Sequence, residues 1–199
     1  TDAEDEVVAG RAEARDAAIL MLDIRGFTGF SGSHAPDEVV DLLTSFHARA
    51  VPRIRTEGGV VDKFLGDGVM ATFGAVSPSP TAARDALTAL EAVMTEAARW
   101  SEETGTGLVV NGAVAAGPVV FAALGHANRL EFTVIGEAVN LAAKLEKHNK
   151  TESTRALTTA ACFDRARAEG FAAARPPERL AERGVAGVAT PLDLVVVAR

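Results

Sequence analysis

Cysteine occurs once in the 199 residues, as Cys162, so no disulfide can close within the chain. A reducing compartment is the expected setting. No apolar run approaches the roughly 18 residues that a membrane-spanning helix needs, and no signal-peptide pattern opens the chain. Positive charge is scarce as well: 20 Lys and Arg stand against 27 Asp and Glu, a formal net charge of −7. That balance argues against a nucleic-acid backbone or an anionic membrane surface as the main partner. Repeats and low-complexity tracts are missing too. The expectation is a globular domain in the cytoplasm, whose parent is either soluble or membrane-attached. With 48% apolar and 24% charged residues, the chain is long enough for one domain with its own core. It opens on Thr1 rather than Met, as expected of a domain cut from a longer parent that carries an upstream regulatory region.

Patterning supplies the elements. Residues 1–16, charged and Ala-rich, read as a lead-in, and 17–199 as the domain. The run 17–24, AAILMLDI, is short, wholly apolar and followed by Gly26, which predicts a buried central strand. From Pro36 the apolar spacing is helical, with Val39, Leu43, Phe46, Ala50 and Ile54 on one face. Pro36 suits the first turn and Pro52 predicts a kink. Two strands, 60–65 and 69–73, flank Gly66-Asp67-Gly68 as a hairpin. An amphipathic helix follows at 81–100. Residues 108–125 read as a long hairpin broken at Gly117-Pro118. A strand at 130–136, a helix at 137–148, a helix near 158–168 and a terminal strand at 191–198 complete the chain. The order β-α-β-β-α-β predicts an α+β domain with a ferredoxin-like split βαβ core and C-terminal additions.

Two acids sit where that core would bring them together. Asp23 ends the first strand and Asp67 tips the hairpin. Taken alone, each has an ordinary use, as a helix cap or a turn residue. In the split βαβ arrangement the first strand lies beside the hairpin, so the two carboxylates can face each other and form an oxygen-rich site for hard divalent cations. Such a pair suits phosphoryl transfer. The GFT that follows supplies small residues and free backbone N–H groups for phosphates.

Three blocks, LDIRGFTGFS, KFLGDGVMATFG and FTVIGEAVNLAAKLE, resemble in order the catalytic domain of class III nucleotidyl cyclases, the adenylate and guanylate cyclases. The resemblance covers about residues 17–150 and implies roles position by position. Asp23, Asp67 and the backbone carbonyl of Ile24 correspond to the ligands of two Mg²⁺ or Mn²⁺ ions. Phe27 and Thr28 correspond to the turn whose amides meet the phosphates. Lys63 and Thr133 match the two positions that read the base, and this combination points to ATP over GTP. Asn140 matches the residue that orients the ribose. Lys144 stands where the family has a charge-neutralising arginine, which keeps the charge but loses the planar fork and implies a slow enzyme. For the family's phosphate-contacting lysine near the C-terminus, Arg183 is the nearest basic residue. The family's sites lie between two catalytic domains. This chain carries candidates for both halves, so a head-to-tail homodimer is expected.

The reading is therefore an adenylate cyclase domain that makes 3′,5′-cyclic AMP and pyrophosphate from ATP. The alternatives are a cyclase-like domain that binds nucleotide or dimerises to regulate a partner, and another two-metal enzyme on a related core. A diguanylate cyclase would carry a different hairpin from Gly66-Asp67-Gly68.

Overall fold

In the computed structural model, residues 12–126 and 129–199 are described; the expected lead-in over 1–11 lies outside them. The elements run β1 (Ala12–Arg25), α1 (Phe27–Ser31), α2 (Pro36–Thr56), β2 (Val60–Leu65), β3 (Gly68–Phe73), α3 (Ala82–Thr104), β4 (Val109–His126), β5 (Arg129–Ile135), α4 (Glu137–Glu152), β6 (Ala156–Thr159), α5 (Ala160–Ala168), β7 (Glu178–Arg183) and β8 (Leu192–Ala198). The strands form a mixed sheet in the order β2-β3-β1-β4-β6-β8-β7, and β5 pairs with β4 off that path. Its first four strands, with α2 and α3, are the split βαβ core that the sequence predicts.

The unbroken apolar run of β1 has a simple cause. The strand is covered on both faces, so both sets of alternating side chains are buried. Ala18, Leu20, Leu22 and Ile24 join one core with α2, α3 and α5. Ala17, Ile19 and Met21 join a second core with α4. Only the outer half, 12–16, alternates between exposed and half-buried positions, where it pairs with residues 118–122 of β4. These five residues are strand, not lead-in.

Three expectations need correcting. Residues 109–126 are one strand, and Gly117-Pro118 does not break it. Pro118 is tolerated because β6 pairs with residues 112–114 of β4 and β5 with 120–126 on the edge away from β1. The stretch between them has no ladder there to which an N–H must donate. Secondly, the buried stripe of α2, which includes Pro52 within the helix, is Leu42, Phe46, Ala50 and Ile54, with Val39 and Leu43 only half-buried. Thirdly, α5 starts at Ala160, where the Thr159 hydroxyl accepts the Cys162 N–H at 3.1 Å and caps the helix.

Two helices lock the layer beneath the hairpin. Phe46 of α2 is 1% exposed and its ring lies 5.4 Å from that of Trp100 on α3. The Trp100 indole N–H donates to Ser45 Oγ at 2.8 Å. Replacing Phe46 by Ala empties a closed site, and a loss of about 3–5 kcal/mol of stability is expected. Urea unfolding followed by Trp100 fluorescence measures it. A loss below about 1 kcal/mol would mean that α2 is not anchored there.

Candidate active site

The β1–β3 register builds the site. Leu22 pairs with Val69, so the next residue of β1, Asp23, comes level with the hairpin turn that holds Asp67. Asp67 is fixed to β1, its Oδ2 accepting the Ile24 N–H at 3.2 Å. The approach is close enough to require glycine at the third turn position. A Cβ added to Gly68 would lie 3.0 Å from the Leu22 carbonyl and 3.5 Å from Asp23 Oδ1. The two carboxylates face a cleft of about 650 Å³. Ile24, Phe27 and Thr28 also line it. Gly26, in the left-handed region at φ 88°, turns the chain sharply from β1 into α1.

A third carboxylate enters from α4. Glu146 lines the cleft and is buried, with Asn111 of β4 donating to it. Burial, then the Asp67 and Glu146 carboxylates, push Asp23 up to about 7, with Lys147 acting the other way. Burial also raises Glu146, while Asn111, Lys147 and Arg25 pull it back. Asn111, the register partner of Asp23, has its Oδ1 buried without a hydrogen-bond partner. Three carboxylates and the Asn111 oxygen give this corner hard oxygen acceptors that fit a divalent cation such as Mg²⁺ or Mn²⁺, with Arg25, Lys147 and Lys150 also lining the cleft. Among the described residues no three His, Cys, Asp or Glu side chains are grouped closely enough to hold an ion unaided. The set suits an ion that takes one or two carboxylates and fills its remaining positions from phosphate and water.

The other four residues singled out in the sequence stand apart. None of Lys63, Thr133, Asn140 and Lys144 lines the cleft. Lys63 of β2 and Thr133 of β5 meet each other, the Lys63 ammonium donating to Thr133 Oγ1 at 3.1 Å. Asn140, exposed, and Lys144 lie one turn apart on α4. The Lys144 ammonium donates to the Gly187 carbonyl in the β7–β8 loop. Successive helical residues turn by about 100°, so Lys144 and Glu146 project to nearly opposite sides of α4. Arg183 points elsewhere, its Nε 3.5 Å from Glu152 Oε1.

Sequence reasoning missed Glu146, Asn111, Arg25 and Lys147. A signal existed for Asn111, a lone amide within the apolar run VVNGAV. Glu146 carried none, because one acid in a charged helix reads as a solvated position.

Comparison with known proteins places the chain in a family. The model for the adenylate and guanylate cyclase catalytic domain matches residues 11–171. An uncharacterized protein of Mycobacterium tuberculosis is 36% identical over 157 residues, covering 79% of this chain and 28% of that protein. An adenylate cyclase of Anabaena cylindrica is 32% identical over 158 residues, 78% of this chain and 32% of that protein. The chain thus spans about a third or less of the length of these relatives. Among solved structures, the adenylyl cyclase CyaB from P. aeruginosa superposes with a TM-score of 0.80 at 22% identity, covering 95% of this chain and 97% of that one. The guanylyl cyclase Cya2 gives 0.78 at 23% identity, covering 95% and 93%. Both speak to the fold, which carries either base preference.

The crowded carboxylates predict an unusual pH response. Asp23 has an ordinary value of 3.8 and is raised in the folded protein to about 7. Folding therefore takes up a proton between these values. The stability this contributes is full below about 3.8 and lost as pH rises through about 7. Metal-free protein should melt at lower temperature at pH 8 than at pH 5.5. Asp23→Asn should raise the pH 8 melting temperature and flatten the profile. A variant that melts lower than wild type at pH 8 would show that Asp23 is not the strained group.

Proposed function

This chain belongs to the adenylate and guanylate cyclase catalytic-domain family, and from that premise we propose that it is an adenylate cyclase domain acting as a homodimer. ATP would be converted to 3′,5′-cyclic AMP. The ribose 3′-oxygen bonds to the α-phosphorus, the bond from that phosphorus to the β-phosphate oxygen breaks, and the 3′-hydroxyl proton is lost. Two divalent ions held by Asp23, Asp67 and the Ile24 carbonyl would supply the charge that acidifies the 3′-hydroxyl and balances the phosphates. Thr28 and the backbone of Phe27, lining the same cleft, would orient the phosphate chain. Asn140 would hold the ribose and Lys144 would face the oxygens that gain charge. No side chain is assigned as a dedicated base, so positioning and charge stabilisation carry the rate.

The observation that carries this reading is the separation of two half-sites. The carboxylates gather in one cleft, and the Lys63–Thr133 pair sits elsewhere on the same chain. A second copy is the natural supplier of the missing half. Exposed apolar surface supports it: Phe64 and Leu65 on β2, Val120 on β4, and Phe132 and Ile135 on β5 are each more than 40% exposed. Where such residues join in one patch they mark an interface. The preference for ATP rests on Lys63 as a donor and Thr133 as an acceptor at the base edge. One observation favours the non-catalytic alternative: the Lys144 charge is engaged by the Gly187 carbonyl. Against it stands the strained Asp23–Asp67 pair, which a domain without metal chemistry has no reason to keep.

Purified protein given ATP with Mg²⁺ or Mn²⁺ should release cyclic AMP, and Asp23→Asn and Asp67→Asn should each abolish this. Mixing Asp23→Asn with Asn140→Ala should restore part of the activity, because one of the two sites in the mixed dimer is intact. Absence of rescue in a verified mixed dimer would rule out shared sites.

Lys144 gives a second test. Loss of a well-placed donor at such a site costs ~10²–10³ in rate, and lysine keeps the charge without the fork. Lys144→Arg should raise kcat with little change in KM, and Lys144→Ala should lower kcat further. Equal turnover in all three forms would make Lys144 a strut for the β7–β8 loop. An inactive natural form that Lys144→Arg does not revive would favour the regulatory alternative.

A further inference from the structure

Strand β2 contains an irregularity that the catalytic reading does not use. Val61 pairs with Ala71 and Lys63 with Met70, so Asp62 is an extra residue with no partner on β3. In a regular strand Asp62 and Lys63 would point to opposite faces of the sheet. The bulge re-aims them, as bulges do, and the Asp62 Oδ2 comes to 3.1 Å from the Lys63 ammonium. The Asp62 side chain is only 7% exposed, against 40% for Lys63. Its Oδ2 is buried and makes no aligned hydrogen bond, so charge pairing with Lys63 is what this atom receives. The Lys63 ammonium therefore lies between a buried carboxylate and the Thr133 hydroxyl.

From this arrangement we propose that Asp62 is a positioning residue for base selection, which holds the Lys63 ammonium in one orientation against Thr133. The inference rests on the adenylate cyclase reading and extends it to a residue to which the resemblance assigns no role. An ammonium has three protons. One is donated to Thr133, and the Asp62 charge 3.1 Å away draws the ammonium from a second side, which restricts the directions open to the remaining protons. A fixed donor suits the unprotonated ring nitrogen on the pairing edge of adenine. Guanine carries an N–H at that position, and its nearest acceptor is the neighbouring oxygen. A mobile lysine can swing to that oxygen; a pinned one meets the N–H instead. Asp62 would thus favour ATP by ordering the side chain before binding and disfavour GTP by denying the alternative pose.

The bland reading is that Asp62 merely neutralises Lys63 and keeps the strand soluble. It differs in outcome. Ordering one long side chain accounts for about three- to tenfold in affinity. Asp62→Asn should therefore raise KM for ATP by that factor, with kcat moved less, and lower the ATP-to-GTP ratio of kcat/KM by about tenfold. In a Lys63→Gln background the same substitution should leave the ratio unmoved. In nucleotide-free protein, NMR relaxation at the Lys63 ammonium should show higher mobility in Asp62→Asn than in wild type. An equal fall in turnover for both nucleotides, with their ratio intact, would assign Asp62 a purely structural role and overturn the proposal. So would an unchanged ammonium mobility. If wild type forms no cyclic nucleotide from ATP or GTP, the cyclase reading fails, and the relaxation comparison still decides whether Asp62 orders Lys63. Should Asp62→Asn fail to fold, Asp62→Ser, which also removes the charge, is held to the same readouts.

Discussion

The structure is organised around two carboxylates that ought to repel each other. Asp23 and Asp67 are held at one corner of the sheet by backbone, through the Ile24 N–H on Asp67 and the β1–β3 register. Like charges in a partly buried place raise the cost of ionisation, and the elevated Asp23 shows that the fold bears it. What makes this possible is the rigidity of β1. Ala17 to Leu22 are buried on both faces, between two cores that share no helix. A strand clamped in this way cannot slide to relieve a strained end. Gly68 completes the constraint, since a Cβ there would lie 3.0 Å from the Leu22 carbonyl and the backbone would have to give.

Helix α4 divides the molecule's chemistry. Its inward stripe, Ala138, Ala142, Leu145 and Asn149, anchors it on the sheet, and Asn149 donates to the Gly112 carbonyl at 2.9 Å. With that face fixed, Glu146 is committed to the carboxylate cleft while Lys144 is committed to the β7–β8 loop. A single helix cannot deliver both to one point. On the proposed reading this is why a monomer is incomplete. The same helix serves one site through Glu146 and the other through Asn140 and Lys144.

Legibility followed locality. The β1 run, the β2–β3 hairpin and the acids at their ends were readable because each is a short pattern with few physical alternatives. The core order followed from the order of elements. Long-range compensation was not readable. Gly117-Pro118 looks like a break until β5 and β6 are known to leave that edge of β4 free. β6 is four residues long, and β7, ERLAER, is an almost wholly exposed edge strand with no alternating apolar signal. Glu146 and Asn111 were invisible as a pair because nothing local relates a helix at 146 to a strand at 111. Asp62 escaped for a related reason. Alternation assigns it to the face opposite Lys63, and only the bulge reverses that.

The bulge and the hairpin turn lie in one short segment, and their closeness has a physical consequence. Residues 60–68 carry Asp62 and Lys63 at one end and Asp67 and Gly68 at the other. Both ends are pinned, one by Thr133 of β5 and one by Ile24 of β1. A movement of β2 relative to β3 would disturb both pins together. In a homodimer with shared sites, Asp67 acts in one site and Lys63 in the other, so this strand mechanically links the two. On that reading, a movement at the carboxylates of one site would reach the base-reading lysine of the other through the bulged backbone of residues 60–68. Such a coupling would need no further machinery, because on the proposed reading the same nine residues belong to both sites.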